Sequence, residues 1–172
     1  MNLFDAIQAR QSVRAFLSKD IEPDKLEAVL RAANQAPSAG NLQAFEIHLI
    51  RDAATKHALA AAALDQRFLA QAPVVLVFCA NPSRGAKYGE RGALLYCVQD
   101  ATVAVAYAQL AATALGLATC WIGAFDEPQV ARVAGLPAGQ RPVAMLPVGY
   151  AAETPRRTPR RRLEDLVHVH AS

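Results

Sequence analysis

Arg10, Gln11, Ser12, Val13 and Arg14 set two guanidinium groups and a hydroxyl within one short stretch near the N-terminus. Arg156, Arg157, Arg160, Arg161 and Arg162 crowd a second stretch near the C-terminus. Guanidinium groups bind phosphate through paired, charge-assisted hydrogen bonds that the point charge of a lysine does not reproduce. Brought together by the fold, the two stretches would clamp a phosphorylated ligand; left apart, the same arginines are solvated surface charge. No aromatic residues interleave with them, so a stacking platform for single-stranded nucleic acid has no support. The net charge of +3 is modest, and it permits anion binding only as a patch.

Other chemistries find little footing. Ser38 lies in A-P-S-A-G, which lacks the first glycine of a nucleophile elbow and has no strand before it. Gly85, Gly89 and Gly92 have neither dinucleotide-fingerprint spacing nor a P-loop lysine. His168 and His170 form an H-V-H pair at the end of the chain, while His48 and His57 lack a partner at metal-ligand spacing, so no metal is expected. The carboxylates form no obvious acid–base pair. With so little side-chain chemistry of its own, the chain is expected to borrow it from a cofactor.

The elements that must position these residues can be read from periodicity. Leu3, Phe4 and Ile7 mark the apolar face of a short helix ending near Arg10. Pro23 suits the first turn of a second helix, with Leu26, Val29, Leu30 and Ala33 at helical spacing. Residues 36–43 read as a loop. Phe45, Ile47 and Leu49 alternate with Glu46 and His48 as in a half-buried strand. An Ala-rich helix over residues 53–64 follows, then a continuous apolar run, 74–78, that reads as a central strand. Residues 81–92, polar, glycine-rich and basic, read as a loop, and a long apolar helix over 92–115 stops at Gly116. A short strand over 119–122, a helix opened by Pro128 and a strand over 143–148 complete the pattern. The tail beyond Gly149 shows no apolar periodicity until Leu163, Leu166 and Val167, and reads as an arm that packs on something else, such as another subunit.

At 172 residues, 53% hydrophobic and 19% charged, the chain suits a single α+β domain over residues 1–172 with a helix-covered mixed sheet. Its alanine-rich apolar helices favour a large subunit interface. Cys79, Cys97 and Cys120 are odd in number, far apart and set in apolar segments, which suits reduced thiols in the cytoplasm. The N-terminus opens directly into an amphipathic segment, without the pattern of a signal peptide. Residues 101–118 carry no charge, but their alanines, threonines and Gln109 make a helix buried in protein a better reading than a membrane span.

Six segments, in order, resemble the short members of the flavin-dependent nitroreductase family: R-Q-S-V-R-A-F (10–16), A-P-S-A-G-N-L-Q (36–43), K-Y-G-E-R-G (87–92), A-L-G-L-A-T-C-W-I-G-A-F (114–125), L-P-V-G-Y (146–150) and R-R-R-L-E-D-L-V-H (160–168). The resemblance spans nearly the whole chain. It implies an intertwined homodimer with the C-terminal arm exchanged and FMN at the subunit interface. Carried over by position, Arg10 and Ser12 match residues that bind the FMN phosphate and ribityl chain, with Gln11 in a slot that is often basic in relatives. Arg14 matches the cation beside flavin N1 and the C2 carbonyl. Pro37, Ser38 and Ala39, with Asn41 and Gln43 in the same motif, match the loop a partner subunit lends to the flavin face. Trp121, Ile122 and Gly123 match the strand end beside flavin N5, and Gln66 an amide that reads the pyrimidine edge. Arg160 matches the C-terminal arginine that reaches the phosphate. Thr158 stands where relatives often carry lysine, a role open to Arg157 or Arg161.

The activity implied is an FMN-dependent oxidoreductase that takes hydride from NADH or NADPH at flavin N5 and hands it, in ping-pong fashion, to a small acceptor such as a nitroaromatic or a quinone. Alternatives within the fold are reductive dehalogenation, dehydrogenation or flavin degradation. A non-catalytic flavin-binding module is the alternative outside enzymology. Neither nucleic acid nor membrane is an expected partner.

Overall fold

The computed structural model describes residues 1–170. The first helix, α1 (Leu3–Ala9), is started by a capping box: Asn2 accepts from the Asp5 N–H, and the Asp5 carboxylate accepts in return from the Asn2 N–H. Leu3, Phe4 and Ile7 face outward, being 60%, 74% and 50% exposed, so none of the described residues covers the apolar stripe that their spacing forecasts. In α2 (Pro23–Asn34) the stripe Leu26, Val29 and Ala33 is buried as expected.

After α2 come β1 (Phe45–Ile50), α3 (Ala53–Ala62), α4 (Phe68–Gln71) and β2 (Val74–Ala80). The next segment corrects the sequence reading. Residues 81–92 are not a loop but a run of helical turns: α5 (Pro82–Gly85), a 3₁₀ turn (Ala86–Tyr88) and α6 (Gly89–Arg91). Two fastenings hold it. The Arg84 guanidinium donates to the Leu42 carbonyl at 2.9 and 3.1 Å, and the Gly85 and Gly92 backbones touch so closely that a Cβ on Gly85 would lie 2.4 Å from the Gly92 oxygen. A π-helical turn (Gly92–Tyr96) then leads into α7 (Cys97–Ala114), which Gly116 ends with a φ of +75°. The chain closes with β3 (Ala118–Thr119), α8 (Glu127–Val133) and β4 (Arg141–Gly149). The strand forecast over 119–122 is thus two residues long, with Ile122 rejoining the sheet by a lone bridge to Met145.

The strands order as β1-β2-β4-β3, and each pairing is antiparallel. A parallel bridge from Ser12 to Thr119 adds the mixed character. Helices cover both faces. Val74, Leu76 and Phe78 of β2 pack with α2 and α7, while Val75, Val77 and Cys79 pack with Leu59 of α3, Leu69 of α4 and Val130 of α8. Burial on both faces explains why β2 reads as one unbroken apolar run. At the sheet edge β1 loses the alternation, with Leu49 38% exposed. The uncharged length of α7 is explained the same way: Ala101, Ala104, Val105, Ala108 and Ala112 are fully buried against α2 and the sheet.

Candidate functional site

The N-terminal arginine stretch begins where α1 stops. The Arg10 N–H closes the helix on the Ala6 carbonyl at 2.9 Å, and its ψ of 121° turns the chain into an extended path. Burial of Val13 and Phe16 anchors that path in a small cluster with Ala72 and Ala118. Backbone pairing fixes it on both sides. Val13 donates to the Thr119 carbonyl at 3.0 Å; Leu17 donates to Tyr150 and Ala152 donates to Ala15, each at 2.9 Å. The last two bonds pull the start of the C-terminal arm alongside residues 15–17, and the Glu153 carboxylate accepts the Arg14 N–H one step further on.

These pairings bring the two ends of the chain together, as the clamp reading requires. Between them lies one cavity of about 790 Å³. Arg10, Gln11, Ser12 and Arg14 form one wall, and Arg156, Arg157, Thr158 and Arg160 form the other, with Glu153 at the join. Elsewhere in the chain arginines hold carboxylates: Arg31 binds Glu27, Arg141 binds Glu127 at 2.8 Å and Arg162 binds Glu164. Among the described residues, none of the five arginines at the cavity forms an ion pair. Five guanidiniums against one carboxylate, Glu153, repel each other and attract anions. Behind them Cys120 is buried; burial pushes its thiol up, while Arg14, the Ser12 hydrogen bond and Arg10 pull it down.

The remaining sequence candidates lie elsewhere. Arg161 turns away from the cavity and donates to the Asp165 carbonyl at 2.6 Å. Pro37, Ser38, Ala39, Asn41 and Gln43 form a separate loop, built on a 3₁₀ turn (Ala39–Asn41) with positive φ at Gly40, Asn41 and Gln43. Asp100, buried at the start of α7, holds this loop by accepting from the Ala39 N–H at 2.9 Å and the Ala44 N–H at 3.2 Å. Gln66 spends its amide N–H groups on the Ala63 and Ala124 carbonyls at 2.9 and 3.1 Å, which fastens the stretch after Gly123 to the end of α3. Ile122 is buried, Trp121 is half-buried and Gly123 is exposed.

Sequence reasoning missed Glu153 and Asp100. Asp100 carried one signal: it is the last charge before the uncharged run of the long helix. Glu153 carried none, since its role depends on the antiparallel bridge between Phe16 and Ala151.

Known proteins resemble this chain in sequence and fold. The model of the nitroreductase family matches residues 7–67 and 60–150. The NADH dehydrogenase of Thermus thermophilus is 31% identical over 172 residues, covering 84% of this chain and 84% of that protein. The oxygen-insensitive NADPH nitroreductase of Salmonella typhimurium is 31% identical over 166 residues, covering 92% of this chain and 69% of that protein. Among solved structures, the NADPH:FMN oxidoreductase from Vibrio harveyi complexed with NAD+ superposes with a TM-score of 0.91 at 25% identity, over 100% of this chain and 78% of that one. The chain belongs to the nitroreductase family. The arm that carries Arg156, Arg157 and Arg160 follows the last residue matched by the family model.

Proposed function

We propose that the protein is a single-domain, FMN-dependent NAD(P)H oxidoreductase that reduces small acceptors such as nitroaromatics and quinones. The observation that carries this reading is the unpaired arginine cavity closed by the two ends of the chain. Its relatives include an NADPH nitroreductase and an NADPH:FMN oxidoreductase, which supports the choice of cofactor and donor.

The donor set fits a phosphorylated flavin. Arg10, Arg160 and the Ser12 hydroxyl face one cavity, and fork-shaped guanidiniums suit a terminal phosphate. Arg14, on the same wall, supplies a cation for the electron-rich edge of the ring. FMN, when bound, supplies the two-electron chemistry that carries reducing equivalents from NADH or NADPH to the acceptor. The chain itself binds, orients and tunes: two or three charge-assisted contacts of about 1.5–3 kcal/mol each supply much of a micromolar affinity, which is roughly −8 kcal/mol.

The site is completed by a second copy of the chain. The outward stripe Leu3, Phe4 and Ile7 and the exposed arm residues Leu163, Leu166, Val167 and Val169 are apolar surfaces that a partner would cover, with the arms exchanged. The partner's copy of the loop at residues 37–43 would then supply the groups that this chain's own cavity lacks. The three buried thiols fit a reduced, cytoplasmic protein.

The test is a visible spectrum of the purified protein, taken before and after anaerobic addition of NADH or NADPH. Bound flavin that bleaches promptly bears the proposal out. A protein that takes up no FMN overturns it, and one whose FMN stays oxidised with both donors overturns the enzymatic part.

A further inference from the structure

The cavity holds more positive charge than one flavin phosphate can use. Its walls carry five guanidiniums and one carboxylate, a formal surplus of four positive charges. A phosphate monoester brings about −1.5 to −2 at neutral pH and Arg14 is assigned to the ring edge, so about one positive charge is left over. Glu153 is already counted in that surplus: its carboxylate accepts the Arg14 backbone N–H, and among the described residues no guanidinium lies within ion-pair distance of it.

The surplus has a definite place. Arg10, Ser12 and Arg14 hold the inner wall, fixed by the backbone pairing of residues 13–17. On the outer wall Arg160 is pre-oriented, one guanidinium nitrogen donating to the Thr158 carbonyl, the Thr158 hydroxyl and the Pro159 carbonyl at 3.1–3.3 Å. Arg156 and Arg157 differ from it. Both are exposed on the arm, and neither makes a side-chain hydrogen bond or ion pair among the described residues. An arginine fork costs side-chain entropy to order, so two adjacent free forks at the mouth of a cationic cavity are suited to a ligand that arrives and leaves.

We infer that Arg156 and Arg157 recognise the additional phosphate groups of the dinucleotide donor, separately from the flavin phosphate held by Arg10, Ser12 and Arg160. This rests on the flavin reading above and extends it to the donor. The ligand chemistry is a second phosphate. It has two sources, the pyrophosphate common to NADH and NADPH and the 2′-phosphate of NADPH alone.

The test uses the FMN-loaded protein and non-reducing ligands of increasing phosphate content: nicotinamide mononucleotide, NAD+ and NADP+. Binding is followed by the change in flavin absorbance and fluorescence. Affinity is expected to climb along the series, with at least one step of about tenfold, the size of one charge-assisted contact. A step between the mononucleotide and NAD+ assigns the arginines to the pyrophosphate, and a step between NAD+ and NADP+ assigns them to the 2′-phosphate. In Arg156→Ala/Arg157→Ala the step disappears while FMN affinity changes by less than about threefold; Arg156→Lys/Arg157→Lys keeps the charge and restores part of it. Equal affinities across the series in the wild type overturn the inference. So does a double alanine variant that retains the step, or one that loses FMN to the same extent. Failure of the flavin reading is told apart by a wild-type protein with no flavin spectrum at all, which removes both.

Discussion

Arg10→Ala tests the phosphate clamp at its most constrained member. The guanidinium is half-buried on the inner wall and forms no ion pair among the described residues, so removing it frees no carboxylate to confuse the result. The helix end survives the change, because the bond that closes α1 is made by the backbone N–H of residue 10 to Ala6. A hydrogen bond to a charged group is worth about 1.5–3 kcal/mol, and at the wall of an open cavity the lower end applies. A loss of about 1.5 kcal/mol is slightly more than tenfold in Kd. The assay titrates FMN and riboflavin into apoprotein, wild type and variant, and follows flavin fluorescence. Riboflavin lacks only the phosphate, so the variant should lose about tenfold for FMN and almost nothing for riboflavin. The gap should narrow with added salt, since the contact is partly exposed. Equal losses for both ligands would move Arg10 away from the phosphate. No loss for either would refute the clamp.

Three further outcomes follow from the same geometry. Arg14→Ala should lower the midpoint potential of bound flavin, because a cation beside the ring favours the anionic reduced form; each 1.4 kcal/mol of lost charge stabilisation is about 30 mV for a two-electron couple, and an unchanged potential would remove Arg14 from that role. Asp100→Asn replaces one of two buried acceptor oxygens with a donor facing the Ala39 or Ala44 N–H; a cost of about 1–3 kcal/mol, read as a fall in Tm of about 2–4 °C per kcal/mol, is the expected result. For Cys79, burial pushes the thiol up to about 12 from an ordinary 9. The folded protein therefore keeps a proton that the unfolded chain releases, so the thiol's contribution is intact below about pH 9 and is lost as pH rises toward 12. Cys79→Ala should flatten that part of the stability curve in urea titrations, and an unaltered slope would contradict it.

The fold was legible where burial imposes a period, and illegible where tertiary contacts set the structure. The unbroken apolar run of β2 and the stripe Leu26, Val29 and Ala33 of α2 announce themselves because each faces a core. Residues 81–92 looked like a loop because their glycines are there for close packing of Gly85 on Gly92, which composition alone cannot separate from turn chemistry. The strand beyond Thr119 is shorter than its apolar run forecasts: it pairs with β4 at Ala118 and Thr119, then rejoins that strand only at Ile122, through the amide and carbonyl of Met145. At the site, the residue types were readable and their meeting was not. Arginine is worth noticing wherever it clusters, but only the pairing of Leu17 with Tyr150 and of Ala15 with Ala152 brings residues 10–14 to residues 156–160.

Under the proposed clamp, ligand binding and order in the arm form a single equilibrium. Beyond Ala152, backbone hydrogen bonds within the arm are confined to one 3₁₀ turn (Leu163–Asp165), and nearly every residue from 153 to 170 is exposed. A segment with so few protected amides opens at little cost, and the repulsion among the cavity arginines adds to the tendency. A phosphate that bridges Arg10 on the inner wall and Arg160 on the outer wall reverses the sign of that interaction and ties the arm down. By linkage, FMN at about 100 times its Kd stabilises the closed state by about 2.7 kcal/mol, which is roughly a hundredfold in the opening equilibrium. Tryptic cleavage within residues 153–162, which needs the arm to open, should therefore slow by up to that factor on saturation with FMN, while riboflavin leaves it nearly unchanged. If the arm is cut at the same rate with and without FMN, it does not hold the phosphate, and the outer wall of the cavity is surface charge after all.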